Sequence, residues 1–227
     1  MAEGFMVTSS STLYLGRDGD FLQRTKSAKT GLHFLMAAIS SMFLLFLIAY
    51  ILRSQVSDWE ALSQPWQPLS DTGQLWFNSA LLAVASVALE CARRGVKDLD
   101  SSKLTRNCML LACAATVAFL IGQLLVWKKL AAMGFLASSN VANAFFYLLT
   151  GLHGLHLTGG LVVLTVATYR CKRLAVDRQE PLRLRTKSSI ELCATYWHFL
   201  LLLWLGLFAL LTSPPESYAA IAKFCGF

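Results

Sequence analysis

Five long apolar stretches, separated by short polar segments, set the pattern of this sequence. Each is long enough to cross a hydrocarbon core of about 30 Å as a helix that rises about 1.5 Å per residue. Within a bilayer the backbone must satisfy its own hydrogen bonds, which favours helices over open strands. The pattern therefore predicts an all-α, polytopic membrane protein with five transmembrane helices. They span Thr30 to Leu52, about Thr72 to Cys91, Asn107 to Trp127, about Val141 to Tyr169 and about Ile190 to Thr212.

The polar segments divide the chain into three parts. Residues 1–29 are mixed in charge, and glycines and aspartates at 16–20 predict a turn or loop there. Between the helices we predict an interfacial loop with aromatic anchors, a tight turn and a basic loop, at 53–71, 134–140 and 170–187. We expect a cytoplasmic segment, a five-helix membrane domain and a periplasmic tail, at 1–29, 30–213 and 214–227.

Composition agrees with a membrane protein. Of the 227 residues, 56% are hydrophobic and only 15% are charged, with a formal net charge of +7. In a polytopic chain such a basic excess reflects loop charges that set orientation, so no nucleic acid is expected as a partner. The six cysteines form no CxxC pair and show no spacing typical of a zinc or iron-sulfur site.

The distribution of lysine and arginine predicts the orientation. In order from the N-terminus, the segments outside the predicted helices hold four, one, five, two, seven and one of these residues. Alternate segments therefore contain sixteen against four. The positive-inside rule then places the N-terminus in the cytoplasm and, with five spans, the C-terminus outside.

Two histidines stand in a stretch of the fourth helix that has no charged residue. His153 and His156 are three residues apart, so we expect them to project together from one face, among glycines that let another helix come close. A histidine at this depth needs a polar partner or a cavity. Contacts that hold helices together are the favoured interpretation, and haem ligation by paired histidines is the sharper alternative.

The second and fifth helices carry further polar positions. Ser79, Ala83, Ser86 and Glu90 recur on one side of the second helix and predict close contact with another helix, while Glu90 is placed to pair with Arg93 and Arg94 at the cytoplasmic edge. On the fifth helix, Glu191 and His198 are about 20° apart on a helical wheel. We expect both to face the fourth helix.

Two motifs resemble subunit III of the haem-copper oxidases. The run from Thr150 to His156, Thr-Gly-Leu-His-Gly-Leu-His, is similar to the TGxHGxH signature of that family. Glu191, the run Tyr-Trp-His-Phe at 196–199 and Trp204 are similar to its ExxxxYWHFxxxxW pattern. Weaker similarity lies in Leu-Trp-Phe-Asn-Ser at 75–79 with Ser86, and in Gly-Gln at 122–123 with Trp127. The resemblance covers about Gly31 to Thr212, and five spans fit the shorter bacterial members.

The resemblance implies a non-catalytic subunit of a bacterial terminal oxidase that reduces oxygen to water and pumps protons. Its partners would be the catalytic subunit I, subunit II and phospholipids, with a respiratory supercomplex left open, in the bacterial inner membrane. Haem and copper would lie in the partner subunits, with no cofactor, metal or catalytic residue in this chain. The residues expected to make structural, lipid or subunit contacts are His153, His156, Glu191, Trp197, His198, Asn78, Glu90, Arg93 and Arg94.

The sequence also departs from the family pattern. Acids that the family places in three helices are replaced by Ile39 or Ser41, by Val126 and by Leu201. We therefore expect that the chain is not itself a proton conduit. A nitric-oxide-reductase accessory protein of the same family and a small membrane b-type cytochrome remain alternatives, as does a small transporter, although no internal repeat favours one. The sequence does not distinguish cytochrome c from quinol as electron donor.

Overall fold

The computed structural model describes residues 4–56, 73–96, 102–176, 180–213 and 223. Five helices account for nearly all of these residues, and no strand occurs among them. All five are long and apolar enough to cross a membrane. The predicted all-α fold with five spans is therefore confirmed, and the orientation stays a prediction. The helices are α1 (Gly4–Arg53), α2 (Gly73–Gly95), α3 (Ser102–Ala132), α4 (Val141–Val176) and α5 (Glu180–Thr212).

All five helices extend beyond the predicted spans, and three of them reach into polar segments that were predicted to be loops. α1 begins at Gly4, so the turn predicted at 16–20 is wrong. An isolated glycine costs a helix only about 1 kcal/mol relative to alanine, which is too little to end it without a proline. α4 and α5 likewise run into the predicted basic loop, because arginine, lysine and leucine are good helix formers. The predicted interfacial loop, apart from residues 53–56, and the tail, apart from Lys223, lie outside the described residues.

The chain divides into two compact units, Met1–Ile39 and Ser40–Phe227. The described part of the first unit is helical from Gly4 onward, and in it the Nδ1 atom of His33 lies 2.7 Å from the carbonyl oxygen of Lys29. The second unit holds the remainder of α1 and the other four helices. All contacts described below belong to this second unit.

Helices α2 to α5 form a closed ring. α2 packs against α3 and α5, and α4 packs against the same two helices. Small side chains dominate one half of the interior, which lets the backbones come close in the way typical of membrane helices. The buried alanines of this half are Ala85, Ala88, Ala92, Ala112, Ala115, Ala167 and Ala194.

The turn between α3 and α4 is as predicted at 134–140. Gly134 has a φ of 87°, a left-handed conformation that favours glycine. The N–H of Phe135 donates to the carbonyl of Leu130 over 3.0 Å, and the N–H of Gly134 donates to that of Ala131, which is a Schellman ending. Asn140 then caps α4, because its side-chain oxygen accepts from the N–H of Ala142 at 3.0 Å.

Candidate functional site

The two histidines of α4 contact different helices. His153 is fully buried, with its ring centroid 5.1 Å from that of Trp204 on α5 and 6.0 Å from that of Phe119 on α3. His156 is half-buried, and its ring lies 5.8 Å from Phe43 on α1. Positions three apart differ by about 60° around a helix, which is enough to separate the two rings. The prediction that they project together is therefore wrong.

His156 is held from both its side chain and its backbone. Its Nδ1 atom lies 2.7 Å from the carbonyl oxygen of Leu152, one turn earlier in α4. Its own carbonyl oxygen accepts a hydrogen bond from the Tyr196 hydroxyl at 3.3 Å. His156 therefore serves contacts between α4, α5 and the C-terminal part of α1.

Three tryptophans link different helices through their indole N–H groups, two between neighbours in the ring and one, Trp197, across it from α5 to α3. Each of these donors reaches a hydroxyl on another helix, so a buried polar group is paired and two helices are fixed in register. Trp197 was expected to make a structural contact, and this bond supplies one. The bonds are Trp127 to Thr150 at 3.2 Å, Trp197 to Thr116 at 3.2 Å and Trp204 to Ser79 at 2.9 Å.

The polar positions of α2 meet α5 at His198. The Ser86 hydroxyl lies 2.5 Å from Nδ1 of His198, and Nε2 of the same ring lies 3.6 Å from a carboxylate oxygen of Glu90. A neutral imidazole with its proton on Nε2 suits both neighbours, because Nδ1 then accepts from the hydroxyl and Nε2–H faces the carboxylate. The predicted close contact of the α2 stripe is confirmed.

The neighbour predicted for His198 is wrong. Its described partners lie on α2 rather than α4. A helical wheel gives the direction in which a side chain leaves its own helix, but not which helix stands there. Glu191, two turns earlier, is half-buried, and its backbone carbonyl accepts a hydrogen bond from Thr195 at 3.0 Å.

A catalytic triad combines a nucleophile, a base and an acid. The same three types of side chain lie together here, in Ser86, His198 and Glu90. Acyl transfer also needs hydrogen-bond donors aimed at the oxyanion that forms beside the nucleophile. Ser86 lies inside α2, where the backbone N–H groups are used by the helix itself. The arrangement therefore suits contact between helices better than catalysis.

Glu90 also forms the ion pairs that the sequence predicted. Its carboxylate lies 2.8 Å from Nε of Arg93 and 3.1 Å from Nε of Arg94. One carboxylate therefore faces two guanidinium groups, and the cluster keeps a net positive charge. The Arg94 side chain is 77% exposed, so its charge is available to a neighbouring molecule.

Close approach at two glycines fixes the helix spacing. A Cβ on Gly160 would lie 2.8 Å from a ring carbon of Tyr196 and 3.1 Å from Trp197, so α4 and α5 touch there through a glycine. A Cβ on Gly122 would collide with the side-chain oxygen of Asn78. The sequence predicted close approach at the glycines near His153 and His156, which include Gly160, but missed the structural role of Gly122, although the Gly-Gln pair was noted.

Gln123 was likewise noted only for its resemblance to the family, yet its side chain is buried. It is 4% exposed, and Asn78 is fully buried. Uncharged polar residues inside an apolar span were the available signal. Within the described ranges, no group of three or more histidine, cysteine, aspartate or glutamate side chains is placed to hold a metal ion.

Comparison with known proteins gives one consistent family. The family model described as cytochrome c oxidase subunit III matches residues 7–212. Cytochrome c oxidase subunit 3 of Synechocystis sp. is 30% identical over 182 residues, which cover 79% of this chain and 72% of that protein. The protein of the same name from Schizophyllum commune is 28% identical over 218 residues, 90% of this chain and 78% of its own. A probable cytochrome c oxidase subunit 3 of Nocardia farcinica is 34% identical over 91 residues, 40% of this chain and 42% of its own.

Proposed function

Because the chain belongs to the cytochrome c oxidase subunit III family, we propose that it stabilises the catalytic subunit of its oxidase and holds phospholipid at its surface. As a subunit III of a haem-copper oxidase, it associates with the catalytic oxidase subunits, and the metal centres of the complex lie outside this family of subunits. The family match does not favour the nitric-oxide-reductase accessory protein or the b-type cytochrome.

The observation that supports a stabilising role is the use made of the polar side chains in the ring. Three indoles bond to hydroxyls across helix boundaries, and His198 joins α5 to Ser86 of α2. These bonds fix the register of four helices and leave the outer faces apolar. A rigid apolar body of this kind is suited to lie against a larger membrane subunit.

Phospholipid binding is supported by the basic side chains at one end of the ring. Arg93 and Arg94 share the single carboxylate of Glu90, and Arg170 and Lys172 are exposed near the end of α4. Positive charges near the membrane surface attract anionic head groups, and each basic residue contributes about 1 kcal/mol of binding free energy. We propose that a lipid phosphate binds beside Arg93 and Arg94.

We propose the bacterial inner membrane as the location, with residues 1–29 in the cytoplasm and 214–227 in the periplasm. The charge count of the segments supports this orientation, since the arginines at the end of α2 and the basic residues at the end of α4 then lie on the cytoplasmic side. Association with subunits I and II, and with a larger respiratory supercomplex, belongs to the same proposal.

The stabilising role is tested by purifying the oxidase with and without this chain. We expect equal initial rates of oxygen consumption, because the metal centres lie elsewhere, and a faster loss of activity over repeated turnovers without the chain. Equal lifetimes of the two preparations would contradict the role. Failure of the chain to purify with a haem- and copper-containing partner would contradict it more broadly.

The lipid site is tested by native mass spectrometry of the assembled oxidase. Replacing Arg93 and Arg94 by glutamine should reduce the retained anionic phospholipid. The matched control replaces Lys128 and Lys129, two basic residues at the end of α3, by glutamine. Equal lipid retention in both variants would show that the arginine pair does not hold the phosphate.

A further inference from the structure

Three side chains inside the ring of α2 to α5 each have two buried polar atoms without a hydrogen-bond partner among the described residues. They are Asn78, Gln123 and His153, with exposures of 0%, 4% and 0%. The unpaired atoms are the amide nitrogen and oxygen of the first two side chains and both ring nitrogens of the histidine. Leaving an amide or imidazole unpaired in an apolar interior costs several kcal/mol, so these groups call for a ligand that can hydrogen bond to them.

Contacts between α3 and α4 locate two of the three, Gln123 and His153, relative to each other. Phe119 touches His153, and Trp127, two turns further along α3, donates to Thr150, one turn before His153. Gln123 is four residues from each of these aromatic side chains. Gln123 therefore lies between the two aromatic residues both along the axis of α3 and in angle around it. This places it toward α4 at the level of Thr150 and His153.

Asn78 belongs to the same layer from the side of α2. Its side-chain oxygen sits against Gly122, the residue before Gln123. The next residue of α2, Ser79, accepts the N–H of Trp204, and the ring of Trp204 lies against His153. The three unpaired side chains are thus at one level of the ring, contributed by three different helices.

We propose that this layer binds water molecules that bridge Asn78, Gln123 and His153. Amides offer both donors and acceptors, and a neutral imidazole offers one of each, which water can match in any combination. A buried water makes about three hydrogen bonds, so a few molecules satisfy the layer. An apolar ligand would leave the same groups unpaired. The water would link α2, α3 and α4 close to the Trp127–Thr150 and Trp204–Ser79 bonds.

Hydroxyl-radical labelling of the assembled oxidase by an X-ray pulse tests this proposal, because radicals formed from bound water oxidise the side chains beside it. Trp204 and Trp197 are matched reporters, since both are buried and each indole N–H bonds to a hydroxyl. Mass spectrometry should find Trp204 and His153 oxidised faster than Trp197. Equal oxidation of the two tryptophans in the native oxidase would overturn the proposal.

Variants locate the water. Replacing Asn78 and Gln123 together by leucine should lower oxidation of Trp204 to the level of Trp197. The control is Asn143→Leu, because Asn143 is a buried asparagine of α4 that already pairs with Ser139 at 3.1 Å. It should leave the Trp204 signal unchanged. Undiminished oxidation of Trp204 in the double variant would refute the site, and if that variant fails to assemble, the comparison within the native oxidase decides.

Discussion

At the scale of single residues, Gly160 shows how closely α4 and α5 approach. Its neighbour Gly159 has no atom of another residue within 4 Å of a Cβ position, whereas Gly160 faces Tyr196 and Trp197. Gly160→Ala should therefore destabilise the protein by about 1–3 kcal/mol through overpacking. Gly159→Ala should stabilise it by up to about 1 kcal/mol, because alanine is the better helix former and meets no neighbour there. Thermal unfolding of the two purified variants checks this. Equal effects would mean that contact with α5 does not limit the size of residue 160.

A second prediction for a single residue concerns the hydrogen bond of Trp204. Trp204→Phe keeps the aromatic contact with His153 but removes the N–H that donates to Ser79. We expect a loss of about 1–3 kcal/mol, since a buried hydroxyl loses its donor, with faster dissociation from the oxidase. Trp76→Phe is the control, because Trp76 is 61% exposed. If both variants stay in the complex equally well, the indole bond does not stabilise it.

At the scale of helices, the pairing of α2 with α5 is the feature that the sequence left undetermined. A double-mutant cycle with Ser86→Ala and His198→Ala measures it. We expect a coupling energy of about 0.6 kcal/mol, the usual value for a hydrogen bond between membrane helices. Thr158→Ala replaces Ser86→Ala in the control cycle, because Thr158 bonds only to the Gly154 carbonyl of its own helix. A coupling energy in the control cycle as large as that between Ser86 and His198 would show that the Ser86 contact is not specific.

The helices differ in how well their sequences predict them. Long apolar runs fix the existence of all five, because the bilayer leaves few alternatives, and Gly134 marks the end of α3. The start of α1, the end of α4 and the start of α5 lie in polar segments with good helix propensity, which a hydropathy pattern does not detect. The polar contacts were predicted in kind, as helix contacts, but the partner of His198 required knowledge of the ring order.

At the scale of the whole molecule, the orientation is a prediction of the charge count. Native Cys171 is buried, so its protection from a thiol reagent would not report orientation, and Cys225 lies outside the described residues. Exposed reporters are Ser138→Cys, expected outside, and Arg94→Cys, expected in the cytoplasm, in a chain with Cys91→Ser and Cys225→Ser. An impermeant thiol reagent on intact cells should label only the first. Labelling of the Arg94→Cys variant alone would show that the orientation is the opposite of the predicted one.

We propose that this subunit supports the oxidase without carrying protons itself. The family resemblance implies that Val126 and Leu201 replace acids, and the Glu90 carboxylate is paired with Arg93 and Arg94. The most direct measurement is the number of protons pumped per electron by the assembled oxidase in vesicles after Glu90→Gln and Glu191→Gln. We expect an unchanged initial ratio, with at most a faster loss of activity over many turnovers. A collapse of pumping while assembly and initial oxygen consumption stay normal would contradict the claim.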